Sequence, residues 1–352
     1  MKGKEFLAQW KTTTPSRQTP ILHSLIQQIH SPEKLRLAAH CSKQLFLLHN
    51  FSQTNRHSIF IPMINRSSFL LFFFIPIISL AQYGTFSKDV VDEFKKSPLS
   101  VVLDNGQSEY NDYIHLVMED AWKLNKVDFI SMADFKMAQF ETERSFLVKV
   151  KKSTEQKQAA TFLTILRGWK KKSGEATTYG NSIKNVDFAT EVASIMLDPD
   201  KMEQDQEGPK LWLYTKSIAN FIELVGDGKI TDKTTADKMY SKRTRNLHEM
   251  QLVMTKADLD ASVREPKQFE EFYTKAYQIV GEEQEMGAIE SEDKNLAVVD
   301  VVFTGEHKTR HCYKTIYSVR TGEIMYMNND ASLYGKKQGL IEEDLKNLER
   351  AR

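Results

Sequence analysis

The chain has 352 residues, 41% of them hydrophobic and 27% charged, and its 48 Lys and Arg nearly cancel its 47 Asp and Glu. That balance is uneven: nine basic but only two acidic residues precede position 82, so residues 82–352 hold 39 against 45, a net charge of −6. A surplus of acid argues against a nucleic-acid partner, whose phosphates demand a basic face. Of the two cysteines only Cys312 lies in those 271 residues, which excludes an intramolecular disulfide there and leaves stability to a packed core.

Residues 1–62 are basic, and from Lys34 to Lys88 there is no acidic residue. Five of the nine histidines fall there too. A globular surface mixes both signs, so this shift marks a boundary. The segment is expected to be a disordered, non-native upstream extension, with Met63 as the true start. The stretch MINRSSFLLFFFIPIISLAQYG then has the layout of a secretory signal. Arg66 supplies the positive charge, Phe69–Ile78 the apolar run, and Ser79 and Ala81 the small residues before a cut at Gln82. The run is shorter than the roughly 20 apolar residues of a spanning helix. The alternative is an uncleaved anchor through 63–81, the basic prefix staying inside. Cleavage implies periplasmic or secreted residence, with membrane contact only through the signal segment.

Beyond the cut, Ser100–Leu103 reads as a strand closed by Asp104-Asn105-Gly106, and Ser108 caps a helix carrying Tyr110, Ile114, Val117, Met118 and Trp122. Val127–Ile130 is a strand, Ser131 caps a short helix with Phe135 and Ala138, and strands follow at Phe146–Val150, Ala160–Leu166 and Val192–Leu197. A polar, Gly-bearing excursion spans Gly168–Asn185. Leu211–Val225 has an apolar helical stripe, and Thr231–Glu249 a polar one. The first pattern then returns: strand Met250–Met254, helix Pro266–Ala276, strand Tyr277–Val280, helix Glu283–Ile289, and strands Leu296–Phe303, Cys312–Val319 and Glu323–Met327. The expected class is α/β (α+β), with two related β-α-β-α-β units bearing antiparallel additions. The first spans 98–198, a helical connector 209–248, and the second 249–352. Phe129 and Ile279 become equivalent, as do Phe146 and Val298. The central strands are expected to be buried between helices.

The signal ending in Ala-Gln, the stretch AWKLNKVDFISMADF and the late YKTIYSVRTGEIMYMNND together resemble uncharacterised exported proteins of the Bacteroidota. The resemblance spans 82–352 and implies periplasmic or cell-surface residence, with no catalytic residue to carry over. In strand order the second unit is also similar to a thioredoxin-like core, but it lacks the Cys-x-x-Cys that redox chemistry requires.

No Gly-x-Gly-x-x-Gly, Walker loop, Gly-x-Ser-x-Gly or His-Glu-x-x-His follows position 82. Residues 227–231 imitate the centre of a calcium loop, but Glu223, Val225 and Thr234 fall at positions one, three and twelve, which rejects the match. Asp198, Asp200, Glu203, Asp205 and Glu207 read as a solvated acidic linker. His307, His311 and Cys312 are possible zinc ligands. On a strand the two histidines stand roughly 13 Å apart, so one ion requires the chain to turn at Gly305. Trp122, Trp169 and Trp212 read as anchors in or on the core. No catalytic residue, cofactor or bound metal is expected. The leading expectation is a non-catalytic envelope protein binding an unknown protein or envelope component. The alternative is an exported hydrolase whose paired carboxylates are brought together by folding.

Overall fold

The computed structural model describes residues 83–203 and 208–352. The prefix 1–62, the signal 63–81, the processing pair Ala81 and Gln82, and Asp205 and Glu207 lie outside the described residues. The fold is α+β, with one mixed sheet of seven strands and one of five. The first holds β1 (Leu99–Val102), β2 (Val127–Ile130), β3 (Ser145–Ser153), β4 (Ala159–Arg167), β5 (Thr177–Tyr179), β6 (Ser182–Lys184) and β7 (Glu191–Met196). The second holds β8 (Gln251–Thr255), β9 (Tyr277–Val280), β10 (Leu296–Thr304), β11 (His311–Ser318) and β12 (Ile324–Ala331).

The sheets share a plan. The order is β2-β1-β3-β4-β7 in the first, with the β5–β6 hairpin beside β3, and β9-β8-β10-β11-β12 in the second. In each, the first three strands are parallel and the next two are added antiparallel. Leu99 faces Val127 and Ser145, as Leu252 faces Tyr277 and Ala297. Counted from those pairs, Phe129 matches Ile279 and Phe146 matches Val298. A β-bulge also recurs in step. Val192 is the extra residue opposite Ile165 and Leu166, and Met325 the extra residue opposite Ile316 and Tyr317. Each bulge bends the last strand and sharpens its twist at the same height.

The helices are α1 (Lys88–Lys96), α2 (Glu109–Asp120), α3 (Met132–Ala138), α4 (Pro199–Glu203), α5 (Leu211–Gly226), α6 (Lys233–Arg243), α7 (Pro266–Glu270), α8 (Glu282–Glu290) and α9 (Glu342–Arg350). Local chemistry starts them. The Ser108 hydroxyl accepts from Asn111 N at 3.2 Å, and Ser131 exchanges bonds with Asp134 in a capping box. Asp232 accepts from Thr235 N at 2.8 Å at the start of α6. Helix α5 buries a wide apolar face and leaves Trp212, Lys216, Asn220 and Glu223 on the remaining stripe. One core packs on that face, joining Leu147, Leu163 and Ile165 of the first sheet to Val253, Val298 and Tyr317 of the second. The outer face of the first sheet packs Val102, Phe135, Phe146 and Trp169. That of the second packs Leu252, Met254, Phe269, Cys312 and Leu345.

Several expectations change. Strands β2 and β9 are sheet edges, so Phe129 and Ile279 are half-buried rather than enclosed. Phe129 instead rests on the His115 ring, with centroids 3.8 Å apart. The helix expected over Pro266–Ala276 stops at Glu270, after which Tyr273 turns inward. The polar excursion holds the β5–β6 hairpin, whose Ile183 reaches the core.

The contrast between core and edge is measurable. Phe146 is fully buried, and Phe146→Ala is expected to cost about 3–5 kcal/mol. Phe129→Ala is expected to cost about 1 kcal/mol, the centre of the range for point changes. Urea denaturation of both variants checks the difference.

Candidate functional site

Several polar groups interrupt the apolar packing, among them the buried Lys149–Asp104 and Lys152–Glu191 pairs of the first sheet, and two further regions are candidates for a site. The first is enclosed. Lys210, just before α5, donates to Asp300 Oδ1 at 2.6 Å, and the Tyr214 hydroxyl donates to Asp300 Oδ2 at 3.0 Å. Asp258, past the end of β8, accepts from Thr255 N and Oγ1, both at 2.7 Å. Glu285, in the first turn of α8, is 6% exposed, and its Oε1 has no hydrogen-bond partner among the described residues. By the shared register, Thr255, Glu285 and Asp300 stand where the first sheet has Val102, Phe135 and Val148. Three apolar core positions of one sheet are thus polar in the other.

The electrostatics follow from burial. Loss of hydration pushes Glu285 up to about 7; Asp258 and Asp300 add to the rise, while Lys210 and Lys201 oppose it. Burial also raises Asp258, against Lys210 and the Thr255 hydrogen bonds. Desolvation by itself would depress the Lys210 ammonium, but Asp300, Glu285 and Asp258 hold it well above its ordinary range. A cation at a helix N-terminus opposes the macrodipole, and these carboxylates offset that cost. The group is a balanced buried network rather than an open site.

The second region is open. A cleft of about 530 Å³ lies between α6, β12 and the end of α9. Lys233, Asp237, Tyr240, Ser241 and Thr244 form one wall, Tyr326–Asn329 the floor, and Asn347 and Arg352 the other wall, with Glu155 from the β3–β4 turn at the rim. Asp237 is held by the Tyr83 hydroxyl and by Lys233, the latter at 3.1 Å. Below the floor, Tyr326 and Asn328 donate to Asp344 Oδ1 at 2.6 and 2.7 Å, and Lys314 pairs with Asp344 and Asp330. That network fixes β12 and α9 together. Hydroxyls, amides and both charge signs can bind a polar ligand. Neither Glu285 nor Asp258 lines the cleft.

The residues singled out from sequence do not converge here. His307 lies exposed in a turn after β10, and His311 Nδ1 sits 3.0 Å from Thr309 O. Cys312, the next residue of β11, is fully buried and accepts from Gly339 N at 3.3 Å, so it points to the opposite face from His311. Burial pushes its thiol up to about 11. Among the described residues no three His, Cys, Asp or Glu side chains are placed to hold a metal, and no helix is long and apolar enough to cross a membrane. Trp122 and Trp169 are core residues, and Trp212 lies under Lys216. The residues sequence reasoning passed over are Lys210, Glu285 and Asp300, and those of the cleft. The one local signal was Glu285, an acid at a position its own helix turns inward.

Comparison of the chain with protein-family models, curated proteins and solved structures finds no match.

Because the folded Glu285 has a raised pKa, its favourable share is complete below about 4.5, its ordinary value, and disappears as pH rises through about 7. Glu285→Gln is therefore expected to melt with the native chain near pH 5 and above it near pH 8. Thermal scans across that range check the crossover. Lys210→Met leaves Asp300 unpaired in the core and is expected to cost about 3–5 kcal/mol in urea denaturation.

Proposed function

We propose that the chain is an exported envelope protein, built from a duplicated α/β unit, with a binding or assembly role rather than a catalytic one. The cleft over β12 is its binding site. The observation that carries this reading is the division of the polar groups. The open cleft has a volume in the range of ligand sites and is lined by hydroxyls, amides and both charge signs, whereas the carboxylate with a proton affinity suited to acid–base work, Glu285, is enclosed and does not line it. A hydrolase needs that group within reach of substrate. Export rests on the signal layout over 63–81. Cleavage before Gln82 leaves every described element intact, since Tyr83 is already buried against the first sheet. Duplication is supported by the matched strand order, register and bulge.

Envelope-fraction protein is expected to have an intact mass that begins at Gln82; a species retaining Met1 in the cytoplasm refutes the export reading. A photo-crosslinking side chain in place of Ser241, in the cleft, is expected to give a discrete adduct in cells. The same group in place of Met137, which is 76% exposed on α3 and outside the cleft, is expected to give none. Equal yields at both positions refute the cleft as the binding site.

A further inference from the structure

The floor of the cleft is the edge of the second sheet, and its backbone specifies what can dock there. Ser332 N–H donates to Arg310 C=O at 2.8 Å. By the alternation of an antiparallel ladder, Asp330/Cys312, Asn328/Lys314 and Tyr326/Ile316 are then the hydrogen-bonded pairs. Met327 and Asn329 therefore turn their N–H and C=O groups away from β11, toward the cleft. The Thr244 hydroxyl caps Met325 C=O at 2.7 Å, and Asn328 Oδ1 meets Asn329 N–H at 2.9 Å. Among the described residues Met327 N–H, Met327 C=O and Asn329 C=O then remain as the docking groups.

The first sheet demonstrates what such an edge accepts. Thr164 faces Ser194 as Thr315 faces Met327, so Ser194 is the residue equivalent to Met327. Ser194 N–H donates to Tyr83 C=O at 3.1 Å, Thr85 N–H donates to Val192 C=O at 3.1 Å, and Gly84 bridges Ala193 antiparallel. An extended segment is thus added to that edge, beside the same bulge. Gly84 makes the close approach possible: its φ is +122°, and a Cβ there would meet Val192 O at 2.3 Å.

We propose that the β12 edge binds an extended, polar peptide segment of a partner protein, added antiparallel to the sheet through the Met327 backbone. The mode is strand addition, with main-chain bonds supplying affinity and the cleft walls selecting side chains. Lys233 and Asp237 pair with each other on one wall, while Arg352 lines the other wall and Glu155 the rim, so the walls offer polar and charged groups to the side chains of the added strand. A small residue opposite the bulge, as at Gly84, fits the closest approach. The proposal rests on the cleft being the binding site.

The test is amide hydrogen exchange by NMR on the full chain, with a synthetic Gln-Tyr-Gly-Thr-Phe-Ser-Lys peptide, the sequence of residues 82–88, as probe. In the free chain Met327 N–H is expected to exchange at least about tenfold faster than Asn328 N–H, because only the latter is paired within the sheet. Peptide at about 1 mM, the range suited to a contact of a few hydrogen bonds, is expected to slow Met327 about tenfold. The same peptide N-methylated at its Tyr and Thr nitrogens is expected to leave the rate unchanged. Met327→Pro removes that N–H at an outward edge position that tolerates proline, and is expected to abolish the amide chemical-shift changes that the native peptide causes at Asn328 and Asn329. Met327 N–H as protected as Asn328 in the free chain overturns the proposal. So does the lack of any slowing by the native peptide, or equal slowing by the N-methylated one. Each of those results leaves a crosslink at Ser241 standing, so failure of strand addition is distinguishable from failure of the cleft.

Discussion

Helix α5 lies against both sheets, and the architecture depends on that single placement. Its apolar surface, with Leu213, Ile218, Phe221, Ile222 and Val225 buried, is shared between the first sheet's α1–α2 side and the second sheet's α8 side. Neither sheet covers its inner face without it. The helix begins on a lysine, the wrong sign for its dipole, and Asp300 from the middle of β10 answers it. The same contact seats the helix and gathers Asp258, Glu285 and Asp300 around Lys210 beside the second sheet. A buried ion pair of this kind is weak evidence for stability and better understood as fixing one arrangement among several similar ones.

That role explains why two sheets of one plan are packed differently. The first turns the face bearing Val102, Phe146 and Val148 toward α3 and its hairpin, and fills it with Phe135 and Trp169. The second turns the matching face toward α5 and α8, where Val298 keeps the apolar character but Asp300 and Glu285 do not. Equivalent surfaces therefore meet non-equivalent partners, so the arrangement is not a two-fold one.

Elements set by neighbours in sequence were legible. Ser108 and Ser131 start helices through bonds three residues away, and Val127–Ile130 and Tyr277–Val280 are strands because β-branched and aromatic residues fall between turn signals. The matching positions of Phe146 and Val298 were readable because the two stretches share a spacing of strands and helices although their residues differ. Helix α1 carried a readable signal, Ser87 followed by Val91 and Phe94 at helical spacing, that a short charged segment obscures. Burial of Phe129 was misjudged because strand order, not strand pattern, decides which strand is an edge. The Lys210–Asp300 pair joins residues 90 apart, and the cleft draws on four separated segments. Neither leaves a local trace. The proximity of His311 and Cys312 in sequence misled for the opposite reason, since successive strand residues face apart.

The segment Tyr83–Thr85 bears on solubility as well as on packing. Without it β7 would end the first sheet with bare N–H and C=O groups, and bare edges pair between molecules. Tyr83 is buried, and its hydroxyl is tied to Asp237, so the seal is anchored at its very first described residue. A chain shortened past Thr85 loses Tyr83 from its place beside Phe221 and Tyr240 in the core and exposes a twisted, hydrogen-bonding margin to its neighbours. Edge-to-edge pairing of folded molecules is then added to the loss of packing, so these three residues bear on colloidal behaviour as well as on stability.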